Sequence, residues 1–465
     1  MRYLRHTFAV IVLAAIAPVA ISRPAFSDAV VESATQLMQA ARADNHGYEL
    51  LQSLTTEIGP RLAGTPAEAR ARQWAVAKLQ ASGFANVRID EFQVPLWLRG
   101  EERAEILSPF PQSLTIATLG GSVSTGVQGV TGEVVSFDSL AALSAAPAGS
   151  LQSRIVFVDE PMARSRDGSG YAAAVAKRRM TAYLAAEKGA SAALIRSVGT
   201  SSHRFAHTGQ MRAVLEEGAA GIPTAALTAP DADQLQRALS YGEPVTMKIV
   251  MTPELLPPAT SGNVIAEIVG REAPDEIVVV SAHLDSWDQG TGAVDDGAGV
   301  AIVIAAARAL MEGMEEPPRR TVRIVLFGAE EVGLIGARHY AQTYASTLEQ
   351  HIVATESDFG AGDIWRFDTR FGQDKIPLGR AIAQVLEPLG IAPGNNQAYG
   401  GPDMKYLREA GVPVVTLMQD GSDYFDLHHT PNDTLDKVPP RALDQNVAAH
   451  VAYLYLAANS GLYFR

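Results

Sequence analysis

Apolar positions recur with a helical period through the first part of the chain. Three segments place an apolar residue every three or four positions, which is typical of amphipathic helices packed on a core; they are residues 31–43, 47–58 and 66–82. Gly83 directly follows the third segment and is a common helix stop. Residues 87–95 instead alternate apolar and polar side chains, which predicts a strand.

From residue 262 the pattern becomes a regular alternation of strands and helices. The predicted strands cover 263–269, 276–281, 321–327, 352–356 and 412–418, and the predicted helices cover 297–312, 332–345, 377–386, 404–410 and 441–458. Several of these strands are nearly continuous β-branched runs, which suits strands covered by helices on both faces. We therefore predict an α/β fold with a mixed, mostly parallel sheet sandwiched by helices.

The middle of the chain has a different character. Between residues 107 and 257 charged residues become sparse and Gly, Ala, Ser and Thr become frequent. Short apolar runs predict strands, and one longer segment predicts a helix; they are 130–137, 154–158, 192–195, 222–227 and 245–250, with the helix at 170–188. We predict a small α/β domain at 107–257, inserted between the two parts of a larger domain at 28–106 and 258–465.

The N-terminus has the pattern of a secretory signal peptide. Arg2 and Arg5 precede an apolar run at residues 8–21, and small residues stand at Ala25 and Ser27. The run is shorter than the ~20 apolar residues that a membrane span needs, and no later segment is long enough. We predict a signal peptide at residues 1–27 and an exported chain without a stable membrane span; an uncleaved anchor is the alternative.

Composition limits the kinds of partner and site. The 465 residues are 47% hydrophobic and 19% charged, which predicts a folded chain of more than one domain. The net charge is −13, and removal of residues 1–27 makes it −16, which argues against nucleic acid as a partner. The chain has no cysteine, so disulfides, thiolate metal sites and a cysteine nucleophile are excluded. Any metal site must consist of His, Asp and Glu.

Candidate ligands follow the predicted strands, each at the end where open α/β sheets place their binding crevice. They are His283 and Asp285, Asp295 and Asp296, Glu330 and Glu331, Asp358, and His428 and His429. A set of imidazole and carboxylate ligands without sulfur suits zinc, and suits manganese or cobalt less well. This number of ligands fits a pair of ions better than a single ion. A carboxylate between two ions ~3.5–4 Å apart can hold a pair that activates water. Of two adjacent glutamates, one can bind metal while the other acts as general base.

Each of these motifs also has an ordinary structural interpretation. Asp296 can be the N-cap of the following helix, and Asp433 can stabilise its own loop through hydrogen bonds. His428 can simply be adjacent to a ligand without binding metal. The basic run at 177–179 is most simply a solvated helix face, with contact to a substrate carboxylate as the alternative. His203 and His207 are most simply exposed loop residues, with a role facing substrate or a partner as the alternative.

Taken together, five motifs in order resemble those of the dizinc exopeptidases, a group that includes bacterial aminopeptidases and carboxypeptidase Q (plasma glutamate carboxypeptidase). They lie at 283–286, 295–299, 328–333, 356–358 and 429–434. Residues 59–65 and 94–100 are most similar to carboxypeptidase Q relatives, and the middle segment resembles the protease-associated domain inserted in those relatives.

The resemblance implies a role for each residue. Asp295 would bridge two zinc ions, with His283 and Asp358 completing one site and Glu331 and His429 the other. Glu330 would take the proton of a water that bridges the ions, Asp285 would hold the other ring nitrogen of His283, and Tyr399 would steady the oxyanion. It also implies a cis peptide after Asp295, short peptides (dipeptides above all) as substrates, and a homodimer.

Two other functions remain as alternatives. One is a non-catalytic receptor or scaffold on a peptidase fold, and the other is an acyltransferase of the glutaminyl cyclase kind. Both metal half-sites are retained in this sequence, which favours hydrolysis over the single-zinc cyclase scheme.

Overall fold

The computed structural model describes residues 26–212 and 221–465. The predicted signal peptide, apart from its last two residues, lies outside the described residues. Within the described ranges no helix combines the length and the apolar character that crossing a membrane requires.

Twelve α-helices are present in the described ranges. They are α1 (Asp28–Arg42), α2 (His46–Glu57), α3 (Pro66–Ala81), α4 (Leu140–Ala145), α5 (Ser169–Glu187), α6 (Ala229–Ser240), α7 (Ala298–Glu312), α8 (Ile335–Thr343), α9 (Ile376–Leu386), α10 (Lys405–Glu409), α11 (Tyr424–Leu427) and α12 (Pro440–Asn459).

The described ranges also contain sixteen strands. They are β1 (Ala85–Leu98), β2 (Glu102–Ser108), β3 (Gln112–Leu114), β4 (Ile116–Thr118), β5 (Val130–Phe137), β6 (Ile155–Val158), β7 (Ala192–Arg196), β8 (Thr224–Leu227), β9 (Thr246–Met251), β10 (Glu254–Ile268), β11 (Ala273–His283), β12 (Arg320–Phe327), β13 (His351–Glu356), β14 (Ile364–Arg370), β15 (Ala392–Pro393) and β16 (Val414–Gln419).

One eight-stranded sheet has the order β1-β10-β12-β11-β13-β16-β14-β15. Its centre is parallel: β11 pairs with β12 and β13, and β13 pairs with β16. Antiparallel pairs flank this centre, namely β1 with β10, β10 with β12, and β14 with β16. Helix α7 is apolar on nearly all sides and is buried, as is most of α12. The predicted mixed α/β fold, with helices covering a largely parallel centre, is confirmed.

The second eight-stranded sheet has the order β3-β2-β9-β5-β6-β7-β8-β4. All its strands lie between Glu102 and Met251, and β10, which begins at Glu254, belongs to the first sheet. This range is close to the predicted insert at 107–257 but begins earlier and ends earlier. The division of the chain into domains stays a prediction.

Candidate metal centre

Four parallel strands deliver the predicted ligands to one edge of the first sheet. β11 ends at His283, β12 leads to Glu330 and Glu331, β13 leads to Asp358, and β16 leads to His429. Because these strands run in the same direction, the residues at their carboxyl ends meet. The remaining predicted ligand, Asp295, comes from the loop before α7 and lies between the others.

The first half-site joins His283, Asp295 and Asp358. Nε2 of His283 lies 3.0 Å from Oδ1 of Asp295 and 3.5 Å from Oδ1 of Asp358. All three side chains are at most 8% exposed. Their ligand atoms lie within 4.8 Å of one another, which is close enough for one metal ion to reach all three.

The second half-site joins His429, Glu331 and the other oxygen of Asp295. Nε2 of His429 lies 2.9 Å from Oε2 of Glu331 and 3.2 Å from Oδ2 of Asp295. Oε1 of Glu331 is buried and has no hydrogen-bond partner among the described residues. The two oxygens of Asp295 therefore face different groups of ligands, as a bridging carboxylate does.

His428 belongs to the same cluster. Its ring stacks on that of His429 with 3.5 Å between centroids, and its Nε2 lies 3.6 Å from Oδ2 of Asp295. Asp295, His428 and His429 also have ligand atoms within 4.8 Å of one another. His428 is thus placed to contact a metal or a substrate, which goes further than the simple neighbour predicted from the sequence.

The donor set fits two divalent cations. Each half-site offers one imidazole nitrogen and carboxylate oxygens in a buried position, a combination that zinc accepts where sulfur is absent. The Nδ1 atom of each imidazole faces a main-chain carbonyl, at 3.0 Å for Asp285 and 3.3 Å for Thr208. A proton held on Nδ1 of His283 leaves its Nε2 free to bind metal, whereas Nδ1 of His429 faces both the carbonyl of Thr208 and a guanidinium donor of Arg178 at 3.3 Å.

Asp285 acts through both its main chain and its side chain. Its main-chain carbonyl, at 3.0 Å, faces Nδ1 of His283, whereas its carboxylate lies farther away at 3.8 Å. The carboxylate instead accepts hydrogen bonds from the main-chain N–H groups of Glu330 (3.0 Å) and Glu331 (3.3 Å). The expected contact with His283 is therefore made by the carbonyl, and the carboxylate positions the two glutamates.

Asp296 and Asp433 hold the loop that carries Asp295. Asp296 accepts hydrogen bonds from the N–H groups of Gly299, in the first turn of α7, and of His283; the N-cap of α7 is Gly297, one residue later than predicted. Asp433 accepts from the N–H groups of Val294 and Asp295, which is the expected loop brace. The peptide bond between Asp295 and Asp296 is cis, as the resemblance implies.

Burial dominates the electrostatics of the centre. It raises the pKa of Glu330 well above its usual value, and the neighbouring carboxylate of Glu331 acts in the same direction. Burial also tends to raise the pKa of Asp295, but hydrogen bonds from His283 and His429 hold it well below its usual value. Asp295 therefore stays charged, whereas the neighbouring Glu330 binds a proton more easily than an exposed glutamate does.

Of the basic run predicted to be solvated, Arg179 is exposed, but Lys177 and Arg178 are buried, and Arg178 contacts the second half-site. Lys177 and Arg178 are 1% and 7% exposed, and Nη1 of Arg178 lies 3.3 Å from Nδ1 of His429. His207, which was predicted to be exposed, is only 2% exposed; its Nδ1 lies 2.7 Å from the carbonyl of His428, and burial lowers its pKa to about 4. His203 is exposed, as predicted.

Two residues at the centre, Arg61 and Trp287, were not predicted from the sequence to contact it. The guanidinium of Arg61, which is fully buried, donates to the carbonyls of Leu284, Thr291 and Gly292 beneath the site. Trp287 donates its indole N–H to Oε2 of Glu331 at 2.6 Å. Arg61 lies in the motif at 59–65, but nothing in the sequence showed that this motif meets the ligand loops.

Tyr399 lies at the rim of the centre. Its side chain is 51% exposed, and its ring lies 4.5 Å from the guanidinium carbon of Arg408. Partial burial raises the pKa of its phenol to about 12, with the negative charge of Glu356 adding to the effect. Its proposed contact with an oxyanion stays a prediction.

Comparison with known proteins supports what the geometry indicates. Residues 263–454 match peptidase family M28. Carboxypeptidase Q of Bos taurus is 34% identical over 435 residues, which are 92% of this chain and 89% of that protein. The aminopeptidase YwaD of Bacillus subtilis is 25% identical over 421 residues, which are 86% of this chain and 82% of that protein.

A solved structure agrees over nearly the whole chain. The peptidase M28 precursor of Shewanella amazonensis SB2B superposes with a TM-score of 0.92 and 49% identity, covering 94% of this chain and 98% of that one. The similarity extends through both sheets, so it includes the residues between 102 and 251 as well as the ligand loops. This protein therefore belongs to peptidase family M28, which confirms the relationship indicated by its motifs.

Proposed function

We propose that this protein is an exported exopeptidase that uses two zinc ions to hydrolyse short peptides, dipeptides above all. The observation that carries the proposal is Asp295, whose two oxygens face two separate groups of histidine and carboxylate ligands. The peptidase activities in the names of carboxypeptidase Q and the aminopeptidase YwaD support hydrolysis of peptide bonds near a chain terminus.

His283, Asp358 and one oxygen of Asp295 would hold one ion, while Glu331, His429 and the other oxygen would hold the second. Two such ions, when bound, polarise the scissile carbonyl and make water a stronger nucleophile. Asp285 and Thr208 keep the two imidazoles oriented for this purpose through their main-chain carbonyls.

Glu330 is the general base. It accepts a proton from the attacking water at a carboxylate oxygen and later gives that proton to the leaving amine, so that the peptide bond is exchanged for a carboxylate and an amine. The hydrogen bond from its own N–H to Asp285 fixes its backbone at the centre. Glu330 accepts this proton in its ionised form, and burial, which raises its pKa, makes that carboxylate a stronger base than an exposed glutamate.

Export rests on the signal-peptide pattern at residues 1–27. A soluble periplasmic or secreted peptidase would meet peptides rather than folded cytoplasmic proteins. We also propose a homodimer, on the resemblance to carboxypeptidase Q.

Replacement of the base tests the proposal. We expect Glu330→Gln to keep two zinc ions per chain and to lose about 1000-fold in kcat on a dipeptide, since general-base catalysis supplies roughly 10²–10⁴-fold. Glu349→Gln, on the surface away from the centre, is the matched control and should be as active as the wild type. Full activity of Glu330→Gln would refute the assigned base, and a purified chain that binds no zinc would favour a scaffold.

A further inference from the structure

A buried cation beneath the metal centre has no carboxylate as a hydrogen-bond partner among the described residues. Arg61 is fully buried, and its guanidinium donates to main-chain carbonyls. Nε donates to Leu284 at 2.6 Å, Nη1 donates to Thr291 at 2.8 Å and to Gly59 at 3.2 Å, and Nη2 donates to Gly292 at 2.9 Å. Because a fully buried arginine is normally paired with an acid, this arrangement requires another explanation.

Four carboxylates of the centre act on the charge of Arg61 from a distance. Burial lowers the pKa of Arg61, and the negative charges of these carboxylates oppose that effect; they are Asp433, Asp285, Asp296 and Asp295. The guanidinium therefore stays charged inside the acidic centre, while its N–H groups are directed to the main chain of the ligand loop.

Arg61 connects the two ligands that stand at the ends of this loop. Leu284, which accepts from Nε, directly follows the ligand His283. Gly292, which accepts from Nη2, also accepts a main-chain N–H at 3.0 Å that closes the turn around Asp295. One planar guanidinium thus holds the backbone beside His283 and the backbone that carries Asp295.

The main chain is shaped around this guanidinium. The N–H of Arg61 donates to the hydroxyl of Ser286 at 3.2 Å, and the N–H of Ser286 donates back to the carbonyl of Arg61 at 3.3 Å. A Cβ atom at Gly292 would lie 2.7 Å from Nη1 of Arg61, and the φ of Gly292 is +61°. Only glycine lets the ligand loop approach the arginine so closely in this conformation.

We propose that Arg61 is a positioning residue that fixes the carboxylate of Asp295 relative to His283, so that binding of both metal ions depends on it. This inference rests on the proposed two-ion peptidase function and names a residue outside the ligand set on which the centre depends. Asp295 offers one oxygen to each half-site. A displaced Asp295 would therefore weaken both ions, whereas a displaced ligand of one half-site would weaken only one.

Lysine at this position would supply the charge without the geometry. A guanidinium spreads five N–H donors over a rigid plane, whereas an ammonium group has three donors on a single atom. The carbonyls of Leu284 and Gly292 bind different nitrogen atoms of Arg61, and one ammonium nitrogen cannot take both places. Arg61→Lys therefore separates the effect of the hydrogen bonds from that of the charge.

The test measures the dissociation constants of both zinc ions by competition with a chelating indicator. We expect Arg61→Lys to weaken both ions about 10–100-fold, because residues that orient metal ligands have effects of this size. Arg320→Lys is the matched control. Arg320 is also fully buried, but it stands at the start of β12, at the end away from the ligands, and binds Glu276 and the carbonyl of Ala457. Its replacement should leave both constants at the wild-type values.

A spectroscopic measurement reports on the bridge itself. With two manganese(II) ions per chain in place of zinc, we expect electron paramagnetic resonance to show a spin-coupled pair in the wild type and weaker coupling in Arg61→Lys with both sites filled. Lower stability alone would not change this coupling, because it is a property of the folded centre. Arg61→Gln, which removes the charge and keeps two N–H donors, should act in the same direction, and it replaces Arg61→Lys if that variant does not fold.

The possible failures are distinct. A wild type that binds fewer than two zinc ions, or that binds two and cleaves no dipeptide, would contradict the proposed function itself. Wild-type constants in Arg61→Lys would refute positioning by hydrogen bonds, since the charge alone would then suffice. Weakening of only one ion would show that Arg61 does not act through Asp295. Equal weakening in Arg320→Lys would reveal a general effect of replacing a buried arginine, and the inference would fall while the peptidase function stands.

Discussion

Trp287 contacts two of the proposed metal ligands. Its indole is 3% exposed, donates to Glu331 at 2.6 Å and lies 5.7 Å from the ring of His429, measured between centroids. A Cβ atom at Gly120 would lie only 2.1 Å from the indole, so the absence of a side chain there lets the second sheet's unit pack against it. The orientation of Glu331 thus depends on residues far away in the sequence.

We expect Trp287→Phe to weaken binding of the second zinc ion about 10–100-fold, because residues that orient a metal ligand have effects of this size. The measurement is zinc per chain during dialysis against a graded series of chelator concentrations. Trp74→Phe removes another buried indole N–H, which is bonded to Ser53 away from the centre, and should leave both ions in place. Equal zinc loss in the two variants would show that Trp287 acts only through general stability.

Among the elements, α3 shows how local sequence determines where a helix begins. Thr65 accepts a hydrogen bond from the N–H of Glu68 at 3.3 Å, and Pro66 occupies the first turn, where its missing N–H has no cost. The helix packs on β10 and β1, and Glu68 accepts a hydrogen bond from Ser261. Its start is therefore encoded locally, and its buried face is provided by the sheet.

We expect Thr65→Ala to lower the free energy of unfolding by about 1 kcal/mol, the usual effect of losing a helix N-cap. Urea denaturation followed by circular dichroism measures this change. Thr65→Ser keeps the hydroxyl, and its free energy of unfolding should remain within a few tenths of a kcal/mol of the wild-type value. A loss as large in the serine variant would mean that the methyl group, and not the cap, provides the stability.

At the scale of the whole molecule, hydrogen bonds of Arg99 connect the two sheets near the candidate metal centre. It lies between β1 of the first sheet and β2 of the second, and its guanidinium binds both oxygens of Asp288, at 2.8 and 2.9 Å. It also donates to the carbonyl of Thr118 and the hydroxyl of Thr208. Asp288 follows Trp287 directly, so this contact links the second sheet to the loop that orients Glu331.

We expect Arg99→Met to lower the free energy of unfolding by about 3 kcal/mol, since the change leaves the partly buried Asp288 without its partner. Arg154→Met breaks a solvent-exposed pair with Glu133 and should cost less than about 1 kcal/mol. Urea midpoints of the two variants give the comparison. Equal effects would show that Arg99 contributes no more than an ordinary surface pair.

Local patterns were sufficient to predict those helices and strands whose own residues show a clear apolar periodicity. Helices α1, α2 and α3 and the central parallel strands were predicted within a few residues, because apolar periodicity reports directly which face is buried. The convergence of the candidate ligands could be predicted for a related reason, since parallel strands bring their carboxyl ends to one edge. β14 and α6 were not predicted. In β14, polar and apolar residues mix without a clear period, and the strand is defined by its pairing with β16.

The sequence alone determined the α/β class and the family, and it named the polar side chains that the structure brings together at one edge of the first sheet. Only the tertiary structure decided which polar side chains are buried and what they contact. Lys177 and Arg178 form a basic run of the kind that is usually solvated, yet α5 buries them against Glu160 and His429. The contacts of Trp287, His207 and Arg61 likewise come from packing. Burial of a polar group depends on partners that are distant along the chain, and no local pattern records them.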